Sequence, residues 1–489
     1  MSKLSLIKNF NYNFMGILIS NISFSIGISL VSRKLGPVRF GEVNSFMAII
    51  AIFIPLISYG ASNYFTREYA VNPNDTTHTD KFFKYTVSVS LLLSVIICLL
   101  LTVTNYYTFS KFSQIFYVLA ILFSQATDLQ WLYRSKENTK IIAQVLSITA
   151  MLNLLLLILL YKVLTIELFL MITSICKALN VIFFYLFDKN LNFMKSVNNL
   201  VFMRRNVETK VDVKAFKVIF LLSLSGLLNL IYVKADLIIL SIYKFKLEAG
   251  LYASAYTILS LLLLFRGTLL SIFIPSLVRN FHDDLKQYKY SLGIYLKLGS
   301  ILGVASSSLV CLLSAIIVKV MFGEGFLEAI PVINLLMLVN AVVFLNMGIS
   351  SSLIAIKKDK QFTLITLVAA LINILGNFIF VPYYDMYAAA ITTFISEVFV
   401  LSFAMHILNR ENKLNYTKIF FRSSTKIVVS TIIILGISYF MKVILNLYFN
   451  LYLAEILSSI LFIVLFLLNF RVFKLIKKEE IMLLVKVRK

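Results

Sequence analysis

Charge is scarce in this chain of 489 residues. Asp, Glu, Lys and Arg together supply 14% of it, against roughly 25% in soluble domains, which excludes a water-soluble fold. Histidine and cysteine are scarcer still, at three each. His78, His282 and His406 are far apart in sequence, and Cys98, Cys176 and Cys311 fall inside apolar runs, so no metal-ligand spacing or disulfide framework arises. No phosphate-binding loop of the Walker type occurs, so no metal or cofactor is expected, and an ATP-driven pump would need a separate ATPase subunit. The loops expected outside the membrane run to about a dozen residues or fewer, too short for an extracytoplasmic active site. This disfavours a membrane glycosyltransferase or polymerase, and the chain is not expected to be an enzyme. No small-residue cleavage pattern follows the first apolar stretch, which therefore reads as a retained span.

What the sequence has in abundance is apolar length. Hydrophobic residues make up 60% and the mean hydropathy is +0.90. Runs of 18 or more apolar residues recur throughout, each long enough to cross roughly 30 Å of hydrocarbon. The pattern predicts an all-α polytopic membrane protein with about 14 transmembrane helices, the first near 12–31 and the last near 454–470. The net charge of +23 is then a topology signal and not a nucleic-acid footprint. With the N-terminus in the cytoplasm, 33 of the 46 Lys and Arg lie in inner segments, 9 in outer loops (Lys442 among them) and 4 within spans. The positive-inside rule places both termini in the cytoplasm.

The longest polar break carries Met203-Arg204-Arg205-Asn206 and divides six spans from eight. The expected organisation is an N-terminal six-helix lobe (1–187), a cytoplasmic linker (188–217), a C-terminal six-helix lobe (218–406), and an appended helix pair with a basic tail (407–489). Repetition supports it. Basic outer loops closed by Gly follow span one (Arg33 to Gly41) and span seven (Lys244 to Gly250), and Ala150-Met151-Leu152-Asn153 is echoed by Ala370-Leu371-Ile372-Asn373. Two parallel repeats would enclose a central cavity between the lobes.

An ionisable group in mid-bilayer costs about 2.5–3.5 kcal/mol on insertion scales, so each one needs a reason. Lys177, Arg266 and Glu397 lie near the middle of their spans. They either pair among themselves, as Arg266 with Glu397, or form a cationic cavity wall for an anionic head group, with Glu397 balancing charge or taking a coupling cation. Lys234, Asp236 and Lys297 lie nearer span ends, where snorkelling is an alternative. Ser225, Asn229, Tyr232 and Asp236 share one helical face, as do Asn21, Ser25 and Ser29 in span one. These stripes fit either a water-filled lumen or hydrogen bonds between helices.

Several short motifs, in order along the chain, resemble the Wzx-type O-antigen and polysaccharide flippases of the multidrug/oligosaccharidyl-lipid/polysaccharide exporter superfamily. They are Leu35-Gly36-Pro37-Val38-Arg39-Phe40-Gly41, Gly60 with Thr66-Arg67-Glu68-Tyr69-Ala70, Trp131-Leu132-Tyr133 with Glu137, and Asp236 with Gly250-Leu251-Tyr252. The resemblance implies alternating access and movement of undecaprenyl-diphosphate-linked oligosaccharides from the cytoplasmic to the periplasmic leaflet of a bacterial inner membrane. Lys177, Lys234 and Arg266 would be the lumen cations, and Gly36, Pro37, Gly41, Arg67, Glu68 and Gly250 motif positions. Partners would be the polyprenyl-diphosphate-linked saccharide, membrane lipids, and a polysaccharide polymerase and chain-length regulator, with no nucleic acid. Fourteen spans also resemble lipid II-type flippases. A cation-coupled multidrug exporter would be expected to carry acidic residues early in the chain, and spans one to three have none.

Overall fold

The structure, a computed structural model, describes residues 3–72, 77–103, 110–136, 138–187, 213–411 and 414–472. The expected linker therefore lies mostly outside the described residues, as does Glu137. Fifteen α-helices are described: α1 Lys3–Ala51, α2 Gly60–Val71, α3 Thr77–Val103, α4 Lys111–Ala126, α5 Gln130–Ser135, α6 Thr139–Leu159, α7 Ile166–Phe187, α8 Val213–Ile242, α9 Lys246–Asp283, α10 Leu285–Leu312, α11 Ser314–Met321, α12 Ile330–Ala355, α13 Asp359–Arg410, α14 Tyr416–Tyr448 and α15 Leu451–Val472. Among the described residues there is no strand. That is the physical expectation in lipid, where only intra-segment hydrogen bonds satisfy the backbone without a closed barrel.

Twelve helical stretches are long and apolar enough to cross a membrane. Two of them, Met15–Tyr69 and Asp359–Arg410, run to 55 and 52 residues, which is room for two passes each. Both turn at a non-helical residue. In α1 it is Gly36 (φ 72°, ψ 169°), which opens onto free space and is followed by Pro37. Positive φ costs glycine little, and proline with its fixed φ is suited to the first helical position beyond the turn. In α13 the turn is at Asp385 (φ 44°) after Pro382. Counting each as a pair gives fourteen passes, as the hydropathy pattern predicts.

The described helices form two compact units, Met1–Lys234 and Ala235–Lys489. In the first, α1 packs on α6, and α4 and α6 on α7. At one end of this unit an aromatic core gathers Phe65, Phe82 and Trp131, with Phe65 edge-on to Phe82 at 5.7 Å and Trp131 4.9 Å from Phe82. In the second, α12 is the central helix, packed by α10, α9 and α13. Gly299, Gly303 and Gly348 lie on the α10–α12 contact, where an added Cβ would collide with Phe344 or Leu296. Small residues allow that close approach where hydrophobic burial drives nothing.

The C-terminal pair α14–α15 is fastened to α10 and α11 by a buried ion pair. Lys442 Nζ lies 2.7 Å from Glu455 Oε1, and Glu455 is fully buried. The same two side chains stitch the break between α10 and α11. Lys442 donates to the Leu312 carbonyl at 3.1 Å, and the Glu455 carboxylate accepts from the amides of Ala315 (3.1 Å) and Ile316 (2.9 Å). Lys442 is thus not an outer-loop residue as its sequence position suggests; α14 continues to Tyr448 because this pairing compensates the charge.

Breaking a buried pair leaves an uncompensated charge, worth about 3–5 kcal/mol in soluble proteins. Glu455→Gln is expected to lower the unfolding midpoint in detergent markedly. Lys442→Met with Glu455→Leu should recover only part of the loss, because the Ala315 and Ile316 amides remain unpaired. Thermal unfolding of the three proteins checks both outcomes.

Candidate functional site

Unit Met1–Lys234 encloses a cavity of about 220 Å³ between α1, α4, α6 and α7. Its lining is mixed: Phe24, Ile28, Tyr117, Ile121 and Phe169 are among the apolar residues, and Asn21, Thr149, Asn153, Thr173, Lys177 and Asn180 among the polar ones. α7 is apolar enough to span, yet it turns Lys177 onto this cavity, and its amine has no hydrogen bond or ion pair among the described residues. Asp128 is the carboxylate within electrostatic reach. It sits in the break between α4 and α5, where it accepts from the Gln130 amide and side chain, each at 2.9 Å. Nothing in contact thus neutralises Lys177 directly, and amide and hydroxyl groups flank it. Such a lining suits an oxygen-rich anion.

Unit Ala235–Lys489 holds a second polar centre around Asp236 of α8, which is 3% exposed. Its Oδ1 accepts from Asn377 at 2.6 Å and Asn373 at 3.4 Å; its Oδ2 accepts from Thr393 at 2.9 Å and from the Tyr252 hydroxyl. Asn373 bonds Thr393 at 2.9 Å, and Thr392 bonds Asn377 at 2.5 Å. All of these partners are neutral. A bare carboxylate without a counter-charge is costly in a membrane interior. Asn373, Asn377, Thr393 and Tyr252 all turn donors to the carboxylate, from α9 and both halves of α13, an arrangement that holds the charged form; a proton, or a small alkali cation once the two amides turn their oxygens inward, is the partner that would replace these donors.

The remaining candidates are distributed more widely. Asn21 lines the cavity, whereas Ser25 and Ser29 bond back to the Asn21 and Ser25 carbonyls of their own helix, at 2.8 and 2.9 Å. Ser225 and Asn229 are exposed on α8, and Lys234 is half-buried. Arg266 on α9 is half-buried with its Nε enclosed, and it pairs with no carboxylate among the described residues, Glu397 included. Glu397 is half-buried on α13, within electrostatic reach of Tyr256. Of the motif positions, Gly36 makes the turn within α1, Gly41 and Gly250 are buried, and Arg67 is exposed. The Glu68 carbonyl accepts the Asn72 amide that closes α2.

Sequence reasoning missed the partners of Asp236, and Asp128 and Glu455 with them. Asn373 and Asn377, one turn apart in an apolar span, were the available signal. Asn153 and Asn373, matched as a repeat, fall one in each centre: the first lines the cavity and the second holds Asp236.

A sequence profile for the polysaccharide biosynthesis protein family matches residues 6–281, more than half of the chain. The chain belongs to this family. None of the curated proteins matches it in sequence. Among solved structures, it resembles the lipid II flippase MurJ in an inward closed conformation, at 15% identity and TM-score 0.70, covering 96% of this chain and 99% of that one. It also resembles a multidrug resistance MATE family transporter in an inward-facing conformation (14% identity, TM-score 0.59, 84% and 99% covered). A transporter of the same superfamily from Pyrococcus furiosus matches at 13% identity and TM-score 0.56, with 84% and 97% covered. These likenesses show the fold that this member of the polysaccharide biosynthesis protein family shares with them, that of a multi-pass membrane protein.

A native-state site adds stability as RT ln(1 + [L]/Kd), about 2.7 kcal/mol at a hundredfold excess over Kd. Sodium chloride is therefore expected to raise the melting temperature of the protein relative to choline chloride at equal ionic strength. Asp236→Asn should abolish the difference while leaving the choline value within a few degrees.

Proposed function

We propose that this protein flips undecaprenyl-diphosphate-linked oligosaccharide repeat units from the cytoplasmic to the periplasmic leaflet of a bacterial inner membrane, for O-antigen, capsule or related surface polysaccharide synthesis. It works by alternating access as two six-helix halves with an appended helix pair and both termini cytoplasmic, and it is not an enzyme. The observation that carries this reading is Lys177. A mid-span amine has no direct partner among the described residues and lines an exposed edge of a cavity that also carries amides and hydroxyls, which is what an anionic, sugar-bearing head group requires. Membership of the polysaccharide biosynthesis family supports the saccharide part of the assignment.

In mechanistic terms, Lys177 offsets the desolvation of phosphate oxygens while Asn21, Asn153 and Asn180 exchange hydrogen bonds with hydroxyls. The apolar lining residues, Phe24, Ile28 and Phe169 among them, accept the portion next to the lipid. Arg266 and Lys234 supply further positive charge. An inside-negative potential favours outward movement of the anionic head by roughly 2.3 kcal/mol per charge per 100 mV. Asp236 is the coupling group: gaining or losing one cation there changes the charge of the unit by one. Glu397 balances charge nearby.

A second reading, lipid II-type transport, is favoured by the end-to-end likeness to the lipid II flippase. The two readings share chemistry and differ in the saccharide.

In proteoliposomes, a fluorescent undecaprenyl-diphosphate oligosaccharide is expected to cross the bilayer with the protein present. Lys177→Gln and Arg266→Gln should each slow it about tenfold or more, the equivalent of about 1.4 kcal/mol. Faster movement of lipid II than of repeat-unit lipids would select the second reading. Transport of small organic cations in place of either lipid would overturn both.

A further inference from the structure

α8 is shared between the two compact units: its first half belongs to Met1–Lys234, and its last turns, with Asp236, to Ala235–Lys489. The first half is attached along a single narrow face. Ile219 and Ser223 are fully buried and Gly226 is buried, spaced by four and three residues, whereas Phe216, Val218, Phe220, Leu221 and Leu228 are exposed. The partner surface is the start of α2, with Tyr85 of α3 edge-on to Phe216 at 5.7 Å beside it. A Cβ on Gly60 would lie well inside contact distance of the Ile219 carbonyl and 2.7 Å from the Ser223 amide, and one on Gly226 would lie 2.6 Å from the Tyr59 ring. The helices therefore touch backbone to backbone, with no room for a single added methyl group.

Immediately before Gly60, residues Pro55–Tyr59 form a π-helical turn, preceded by a break at residues 52–53. π-Turns inside α-helices mark sites where the i→i−4 ladder has yielded. A wide-pitch segment thus abuts a close-fitting contact, and from Ser223 the helix runs about 20 Å, at 1.5 Å per residue, to the carboxylate of Asp236.

We propose that the contact of Tyr59 and Gly60 with Ile219, Ser223 and Gly226 is a clasp on the cytoplasmic side, closed in this structure, which must part before the head group is admitted, the 55–59 turn being the element that yields. This rests on the flippase reading for its purpose and its sidedness. At Gly60, Ser223 and Gly226 the contact is a steric fit of small residues, while Ile219 adds an apolar anchor in the aromatic core that must be withdrawn on parting.

The experiment uses the full chain with Cys98, Cys176 and Cys311 replaced by Ser. In Tyr59→Cys/Gly226→Cys, oxidation is expected to form a disulfide that cuts flipping of the fluorescent undecaprenyl-diphosphate oligosaccharide at least tenfold, restored by reductant. Unchanged flipping in the cross-linked protein, or failure of the disulfide to form, overturns the clasp. Separately, Ile219→Cys should react slowly with a membrane-impermeant maleimide offered from the cytoplasmic side, and at least fivefold faster when combined with Gly60→Ala. Equal rates overturn the proposal. Labelling needs no lipid, so a wrong substrate silences the flipping arm alone, while a wrong clasp fails in the labelling arm.

Discussion

The cost of an unsatisfied polar group in hydrocarbon governs this molecule. It restricts the described chain to helices, and it makes every interruption of a helix an event that other residues must compensate. The interruptions are compensated in different ways. At Gly36 the turn lies in open space and needs only positive φ. Between α4 and α5 the Thr86 hydroxyl donates to the Ala126 carbonyl at 2.7 Å, and the Asp128 carboxylate accepts from the Gln130 amide. Between α10 and α11 the orphan groups are met by charges, Lys442 for the carbonyl and Glu455 for the amides.

The same cost explains how the two polar centres differ. Lys442 and Glu455 answer one another and the backbone, so their chemistry is spent on structure. Lys177 and Asp236 are not answered in kind. Lys177 faces a cavity with amides and hydroxyls around it, and Asp236 is wrapped in neutral donors. A charge kept in a membrane without an opposite charge in contact is expensive, and the expense is recovered when a mobile partner arrives. Lys177 and Asp236 lie in different compact units, so the two uncompensated charges are separated along the chain, and α8 runs from one unit into the other.

The architecture was legible from sequence because hydropathy in lipid is a one-dimensional signal: a span must be apolar for about 20 residues whatever it packs against. Gly36-Pro37 at the first turn was readable for the same local reason. Lys177 and Asp236 stood out because isolated charges in apolar runs are rare. The asparagines and threonines that hold Asp236 did not, since such residues are common in membrane helices and their role depends on which helix they meet. Lys442 was misplaced because a lysine normally ends a span, and its partner lies 13 residues on, across a turn.

Sequence alone therefore determined the number of passes, the charge asymmetry of the loops and which ionisable residues stand in hydrocarbon, because each follows from the free energy of single residues in water or lipid. Tertiary structure decided which of those charges are paired, that Ser25 and Ser29 bond their own helix, and that Gly60 lies against the backbone of α8. Those outcomes depend on distances of a few ångströms between segments far apart in the chain, and no local propensity encodes them.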